Sequence, residues 1–337
     1  MTFIHNRPEF PAVIRAAAAA SPIQNEALVE KDYWVTHALW ALSQSGVALW
    51  FKGGTSLSKG FRITNRFSED LDLVVRPGSI TGLPVVTSWR GTTATATRSR
   101  QAYWDALVQR LPIPDVAVTL REGVDETFCN PPYRAEYRGF HLASLAEAHS
   151  VITPYVLLEF ADGSGPHSTV APSVSRPITS FLHDFLAPRG AFDDPDAVID
   201  NRPNAIECVH PAVTLIEKLD AITRRYARGD DAFAPETFAR HYEDAARIIL
   251  ALEAGALPAM PDTISSLAAE LFERGTIRKL VRADGPGLTL PDEPRRAKVE
   301  RAYDALALMF WVPQMPLRTA QDIIVRWLKR HPMPDPT

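Results

Sequence analysis

Polar and apolar positions alternate through Asp70-Leu71-Asp72-Leu73-Val74-Val75. A strand over residues 71–75 would therefore turn Asp70, Asp72 and Val74 to one face and Leu71, Leu73 and Val75 to the other, the second being the core face. Upstream, Leu28, Trp34, Leu39 and Leu42 recur amid polar residues at helical spacing, which predicts a helix over 25–44. A short strand follows at 47–51, Gly53-Gly54 breaks the chain, and a helix over 55–61 opens directly after the break. Residues 77–98 are rich in Gly, Thr and Pro and read as loop. A helix over 100–111 and strands over 116–121 and 155–160 come next.

Residues 161–203 shift to Pro, Asp, Gly and Ser, interrupted by a short helix over 178–185. Beyond them, helical patterning recurs over 211–227, 236–253, 265–274, 295–310 and 319–330. A chain of 337 residues is expected to form two lobes. We place their junction so that 1–203 forms an α/β (α+β) lobe and 204–337 a mostly helical one. No internal repeat is present.

Composition narrows the class without naming a partner. With 46% hydrophobic and 23% charged residues the chain is neither disordered nor fibrous. A net charge of −4 leaves no whole-molecule positive field to attract nucleic acid. Cys129 and Cys208 lack the spacing of a zinc site and suit a reducing compartment. The alanine run at 16–20 is too short for a signal core, and no apolar stretch reaches the roughly 20 residues of a membrane span. A soluble, cytoplasmic protein without a membrane partner is expected.

Two carboxylates spaced i and i+2 on one strand face can reach the same divalent cation, which prefers hard oxygen ligands. Magnesium, or manganese, held by Asp70 and Asp72 would bridge triphosphate oxygens and offset the charge that develops in an in-line displacement. At Gly53-Gly54 the missing side chains let backbone approach phosphate, and Thr55 and Ser56 add hydroxyl donors at a helix N-terminus. The alternative is a tight strand-to-helix turn with Thr55 or Ser56 as an ordinary cap. The spacing is not that of a Walker A loop.

Glu30-Lys31-Asp32-Tyr33-Trp34-Val35, Phe51-Lys52-Gly53-Gly54-Thr55-Ser56-Leu57-Ser58-Lys59 and Arg66-Phe67-Ser68-Glu69-Asp70-Leu71-Asp72-Leu73 resemble the AbiEii/AbiGii toxin family, which belongs to the DNA polymerase β-like nucleotidyltransferases. Glu217-Lys218-Leu219-Asp220-Ala221 and Arg240-His241-Tyr242-Glu243-Asp244 continue the resemblance, which ends near Leu252. It implies a nucleotidyltransferase mixed-sheet core followed by a helical lobe, with the active site in the cleft between them. It also implies a type IV toxin with a cognate antitoxin encoded nearby. Such an enzyme moves a nucleoside monophosphate from an NTP to an acceptor hydroxyl and releases pyrophosphate, and some relatives modify the acceptor end of tRNA. Carried onto this chain, Gly54 and Ser56 would hold the triphosphate and Asp70 and Asp72 the metal, with Lys218 and Asp244 completing the site. Gly53, Thr55, Lys59 and Arg66 join the nucleotide-binding set from the same blocks.

Glu159 interrupts the apolar run Tyr155-Val156-Leu157-Leu158-Glu159-Phe160 and is either a third acidic site residue, as ligand or base, or a solvated strand end. Arginine outnumbers lysine 29 to 7, yet Lys31, Lys52, Lys59 and Lys218 fall inside the motif blocks, which suggests sites that select an ammonium. Lys31 could equally be half of a surface ion pair. Lys218 borders the stripe of Leu215, Leu219 and Ile222, whereas Asp244 points away from its own helix's stripe and pairs by spacing with Arg240 or Arg247. Eight basic residues between Arg274 and Arg301, against four acids, form either an RNA-backbone surface or a solvated helical face. A tRNA 3′ end is the favoured acceptor. The rival readings are modification of a protein hydroxyl and a nucleotide-binding regulator without catalysis.

Overall fold

The computed structural model describes residues 1–68, 70–76, 78–121, 126–139, 153–163, 172–194, 196–260 and 263–334. The chain divides into two compact units, one comprising Met1–Gly60, Phe67–Gly165 and Ser175–Cys208, the other Phe61–Arg66, Pro166–Val174 and Val209–Thr337.

The first unit is built on a mixed sheet. Its strands are β1 (Leu49–Lys52), β2 (Asp70–Val75), β3 (Ala117–Leu120), β4 (Pro132–Glu136), β5 (Tyr155–Asp162), β6 (Ser173–Arg176) and β7 (Ile206–Val209), in the order β3-β4-β5-β2-β1-β7-β6. β2 lies between antiparallel β1 and parallel β5. Being central, it must bury one face fully, and Leu71 and Leu73 are buried while Asp70 and Asp72 keep partial exposure.

Helix α1 (Phe10–Ala20) leads to α2 (Glu26–Gln44), which starts where Asn25 accepts the Leu28 amide at 3.0 Å. The helix expected from apolar spacing is present and is covered on nearly every side, with Glu30, Lys31 and Asp32 buried along with Tyr33 and Trp34. Lys31 is accordingly not a surface residue: its ammonium donates to the Thr153 carbonyl at 2.7 Å and hydroxyl at 3.0 Å. After the single turn α3 (Gly53–Thr55), helix α4 (Ala94–Val108) begins six residues before the expected start, because Thr93 caps it by accepting the Ala96 amide. The Thr-rich stretch that reads as loop is the capped first turn.

Between α2 and α5 (Phe181–Leu186) runs a buried hydrogen-bond chain. Asn201 donates to His37 Nδ1 (2.9 Å) and the Tyr33 hydroxyl (3.2 Å), while its carbonyl oxygen accepts from His183 Nε2 (3.0 Å). His37 Nε2 donates to the Pro114 carbonyl at 2.9 Å. Both imidazoles are satisfied as neutral rings, and burial lowers each to about 4 against the hydrogen bonds to Pro114 and Asn201. The unfolded chain takes up these protons below about pH 6.5 and the folded chain only near 4, so stability is full above 6.5 and falls as pH drops toward 4. Each ring contributes about 3 kcal/mol to that loss. Urea unfolding at pH 7.5, 5.5 and 4.5 should show the decline, and a flat profile would refute it.

The second unit is helical, with α6 (Pro211–Tyr226), α7 (Arg240–Glu253), α8 (Ile264–Glu273), α9 (Pro286–Thr289), α10 (Glu293–Asp304) and α11 (Leu317–Arg330). Leu215, Leu219 and Ile222 of α6 are buried with Tyr242, Ala245 and Ile249 of α7. Gly287 lets α9 approach the backbone of Ile222 and Thr223, where a Cβ would meet both at 3.3 Å. No helix among the described residues is long and apolar enough to cross a membrane.

Candidate active site

Residues 53–60 wind directly out of β1, first as an α turn over Gly53–Thr55 and then in wider π winding over Ser56–Gly60. Gly53 sits at φ +76, where side chains are disfavoured, and a Cβ there would lie 1.7 Å from Asp72 Oδ2. The Asp72 carboxylate is thus seated against the glycine turn. Thr55 ties the turn to β2 by donating its hydroxyl to the Asp70 carbonyl at 2.6 Å.

Register defines the rest of this face. Asp72 pairs with Lys52 on β1 and with Glu159 on β5, and directly paired residues project to the same side of a sheet. Glu159 is exposed, so Asp70, Asp72 and Glu159 form an acidic face on two neighbouring strands with Lys52 beside it. Lys52, one of the motif lysines, thus stands in register with Asp72, beside the acidic pair rather than in the metal or nucleotide set that the resemblance implies. Ser56 is buried, and its hydroxyl has no oxygen or nitrogen partner among the described residues, only the neighbouring Cys208 thiol. Burial pushes that thiol up to about 11, so it stays protonated.

These residues fit a divalent cation carrying phosphates. Among the described residues no three His, Cys, Asp or Glu side chains form a cage of their own. Magnesium needs none, since it commonly takes one or two carboxylates and completes its shell with water and substrate phosphate. A buried hydroxyl without a fixed acceptor, next to a turn with no Cβ, suits a phosphate oxygen.

Lys59 is placed differently. Its ammonium is buried against Asp32, Thr36 and Thr179, all in the first unit.

In the second unit, Lys218 and Asp244 meet, joined by Arg66 from the segment Phe61–Arg66. Arg66 grips the carboxylate through Nε (2.8 Å) and Nη2 (2.7 Å), and Lys218 donates to Oδ2 at 2.7 Å. Asp244 therefore does not pair with Arg240 or Arg247 on its own helix; Arg247 bonds Glu243 instead. Burial pushes the Asp244 carboxyl up, but the Arg66 guanidinium and Lys218 ammonium outweigh it and hold the group well below the usual carboxylate range. Burial also lowers Lys218, against the pull of Asp244. His241, 3.3 Å from the Lys218 ammonium, is held neutral by burial. Of the eight basic residues between Arg274 and Arg301, Arg274, Arg282, Arg295 and Arg296 are drawn into ion pairs with nearby acids, which favours the solvated-face reading of the run.

A substitution probes the glycine turn. Gly53→Ala must strain φ and displace Asp72, so it should cost at least about 1 kcal/mol of stability and lower any activity that uses Asp72 far more than Gly46→Ala, whose Cβ meets nothing within 4 Å. Equal effects of the two in melting and activity assays would show that the Asp72 contact is unimportant.

The family model for the nucleotidyl transferase AbiEii toxin of type IV toxin–antitoxin systems matches residues 37–319. No protein of curated function matches the chain. Among solved structures, MenT4, the nucleotidyltransferase toxin Rv2826c from Mycobacterium tuberculosis H37Rv, is similar at 17% identity, covering 88% of this chain and 98% of that one with a TM-score of 0.36.

Proposed function

This chain belongs to the AbiEii family of nucleotidyltransferase toxins of type IV toxin–antitoxin systems, and on that premise we propose that it transfers a nucleoside monophosphate from an NTP to the 3′ hydroxyl of tRNA in the cytoplasm, with a cognate antitoxin restraining it. The observation that carries this reading is the contact between the Asp72 carboxylate and the cradle of Gly53, with Asp70 and Glu159 on the same face.

In the proposed reaction the acceptor oxygen attacks the α-phosphorus, the bond to the β-phosphate oxygen breaks, and pyrophosphate leaves. Asp70 and Asp72 would hold magnesium or manganese, which when bound would neutralise charge on the triphosphate. Gly53 and Gly54 admit the triphosphate close to backbone, and the Ser56 hydroxyl donates to one of its oxygens. Glu159, exposed beside Asp72, takes the proton of the incoming hydroxyl. Lys218, held by Asp244 beside Arg66 in the second unit, belongs to a buried charge cluster of its own.

Incubation of the purified protein with each α-labelled NTP, magnesium and total RNA or cell extract tests this directly. Label in RNA of tRNA size is expected, removable by 3′ exonuclease. Label on protein would move the acceptor, and no label on any macromolecule would overturn the enzymatic reading.

A further inference from the structure

Lys59 falls in the motif that invites a phosphate-binding role, yet its surroundings leave it no capacity for one. An ammonium has three N–H donors. Those of Lys59 meet three acceptors: Asp32 Oδ1 at 2.5 Å, the Thr36 hydroxyl at 2.9 Å and the Thr179 carbonyl at 3.0 Å. Both side chains of the ion pair are buried, at 7% and 8% exposure. The second carboxylate oxygen of Asp32 accepts the Phe181 amide at 2.9 Å, so this group too is fully engaged.

The pair joins three pieces of the first unit. Asp32 and Thr36 stand one turn apart on α2, Thr179 and Phe181 flank the start of α5, and Lys59 belongs to the winding opened by Gly53. Lys59 and Ser56 stand three residues apart in that winding, and both are buried. The contacts of the Lys59 ammonium therefore anchor the far end of the winding that carries Ser56 to α2 and to the segment before α5. Three acceptors converging on one nitrogen suit an ammonium and not a planar guanidinium, which explains a lysine here in an arginine-rich chain.

We propose that Lys59 and Asp32 are positioning residues: their buried ion pair locks the glycine turn in the geometry that receives the triphosphate, and Lys59 itself does not touch the nucleotide. The proposal rests on the reading of Gly53–Ser56 as a triphosphate site.

Its test compares Asp32→Asn, Lys59→Met and the double variant, which keep the side-chain shapes. Hydrogen–deuterium exchange is read over residues 51–60 in nucleotide-free protein, and KM and kcat for the NTP are read in the transfer assay. All three variants should speed exchange in the turn and raise KM for the NTP on the order of tenfold, with kcat within about twofold. The double variant should be no worse than either single change, because both remove one interaction. It also serves as arbiter if a single variant fails to fold, since it leaves no unpaired buried charge.

A Lys59→Met loss of NTP binding that Asp32→Asn does not share would place Lys59 on the nucleotide and overturn the proposal. So would unchanged exchange in the double variant. Faster exchange in the turn, with no transfer by the wild-type protein, would overturn the enzymatic reading while leaving the lock in place.

Discussion

Asp72→Asn is expected to reduce nucleotidyl transfer by about a thousandfold or more, with a melting temperature within a few degrees of the wild type. Asparagine keeps the shape of the side chain, so its seat against Gly53 survives. What is lost is half the charge of a pair on one strand face, whose mutual repulsion a divalent cation relieves. The metal supplies several kcal/mol of charge stabilisation in phosphoryl transfer, and each 1.4 kcal/mol is a factor of ten in rate. Rates of label transfer, taken with a thermal melt on the same sample, decide the matter. Full activity would remove Asp72 from the metal site, and an inactive variant with a collapsed melt would make it a structural residue.

The largest effect on stability is expected from Asp244→Ala. Asp244 is fully buried and accepts from both Arg66 and Lys218. Without it, two cationic heads exposed by only 7% and 8% lose their shared carboxylate. Removing one partner of a buried pair costs about 3–5 kcal/mol, because the remaining buried charge loses the carboxylate that compensated it. Against a typical total of about 5–15 kcal/mol, that would leave the helical unit marginal. The control lies three residues away: Arg247, partly exposed and paired with Glu243, should cost no more than about 1 kcal/mol when changed to Ala. Urea unfolding of both variants gives the comparison, and a loss below about 1 kcal/mol for Asp244→Ala would show that the cluster is solvated.

Both predictions turn on residues named in the sequence, but for different reasons. The face shared by Asp70 and Asp72 follows from the two-residue period of a strand, and the glycine turn from the absence of Cβ, so each was legible locally. The helices of the second unit were legible too, because their apolar stripes repeat over three or more turns. Strands β4, β6 and β7 were not: four or five residues of weak alternation carry little signal, and their pairing partners decide that they are strands.

Charge partners were the least legible feature. Local spacing offered Asp244 the arginines of its own helix, yet its partner Arg66 comes from 178 residues away and Lys218 from 26. Lys59 read as a phosphate ligand because it sits in the motif, and only packing against α2 shows its ammonium closed by Asp32, Thr36 and Thr179. The sequence by itself determined which residue types stand at the turn and on the strand, since periodicity and missing side chains act over a few positions. Tertiary structure alone decided which of those charges are spent in the interior, because a buried ion must be compensated by whatever chain the fold brings beside it.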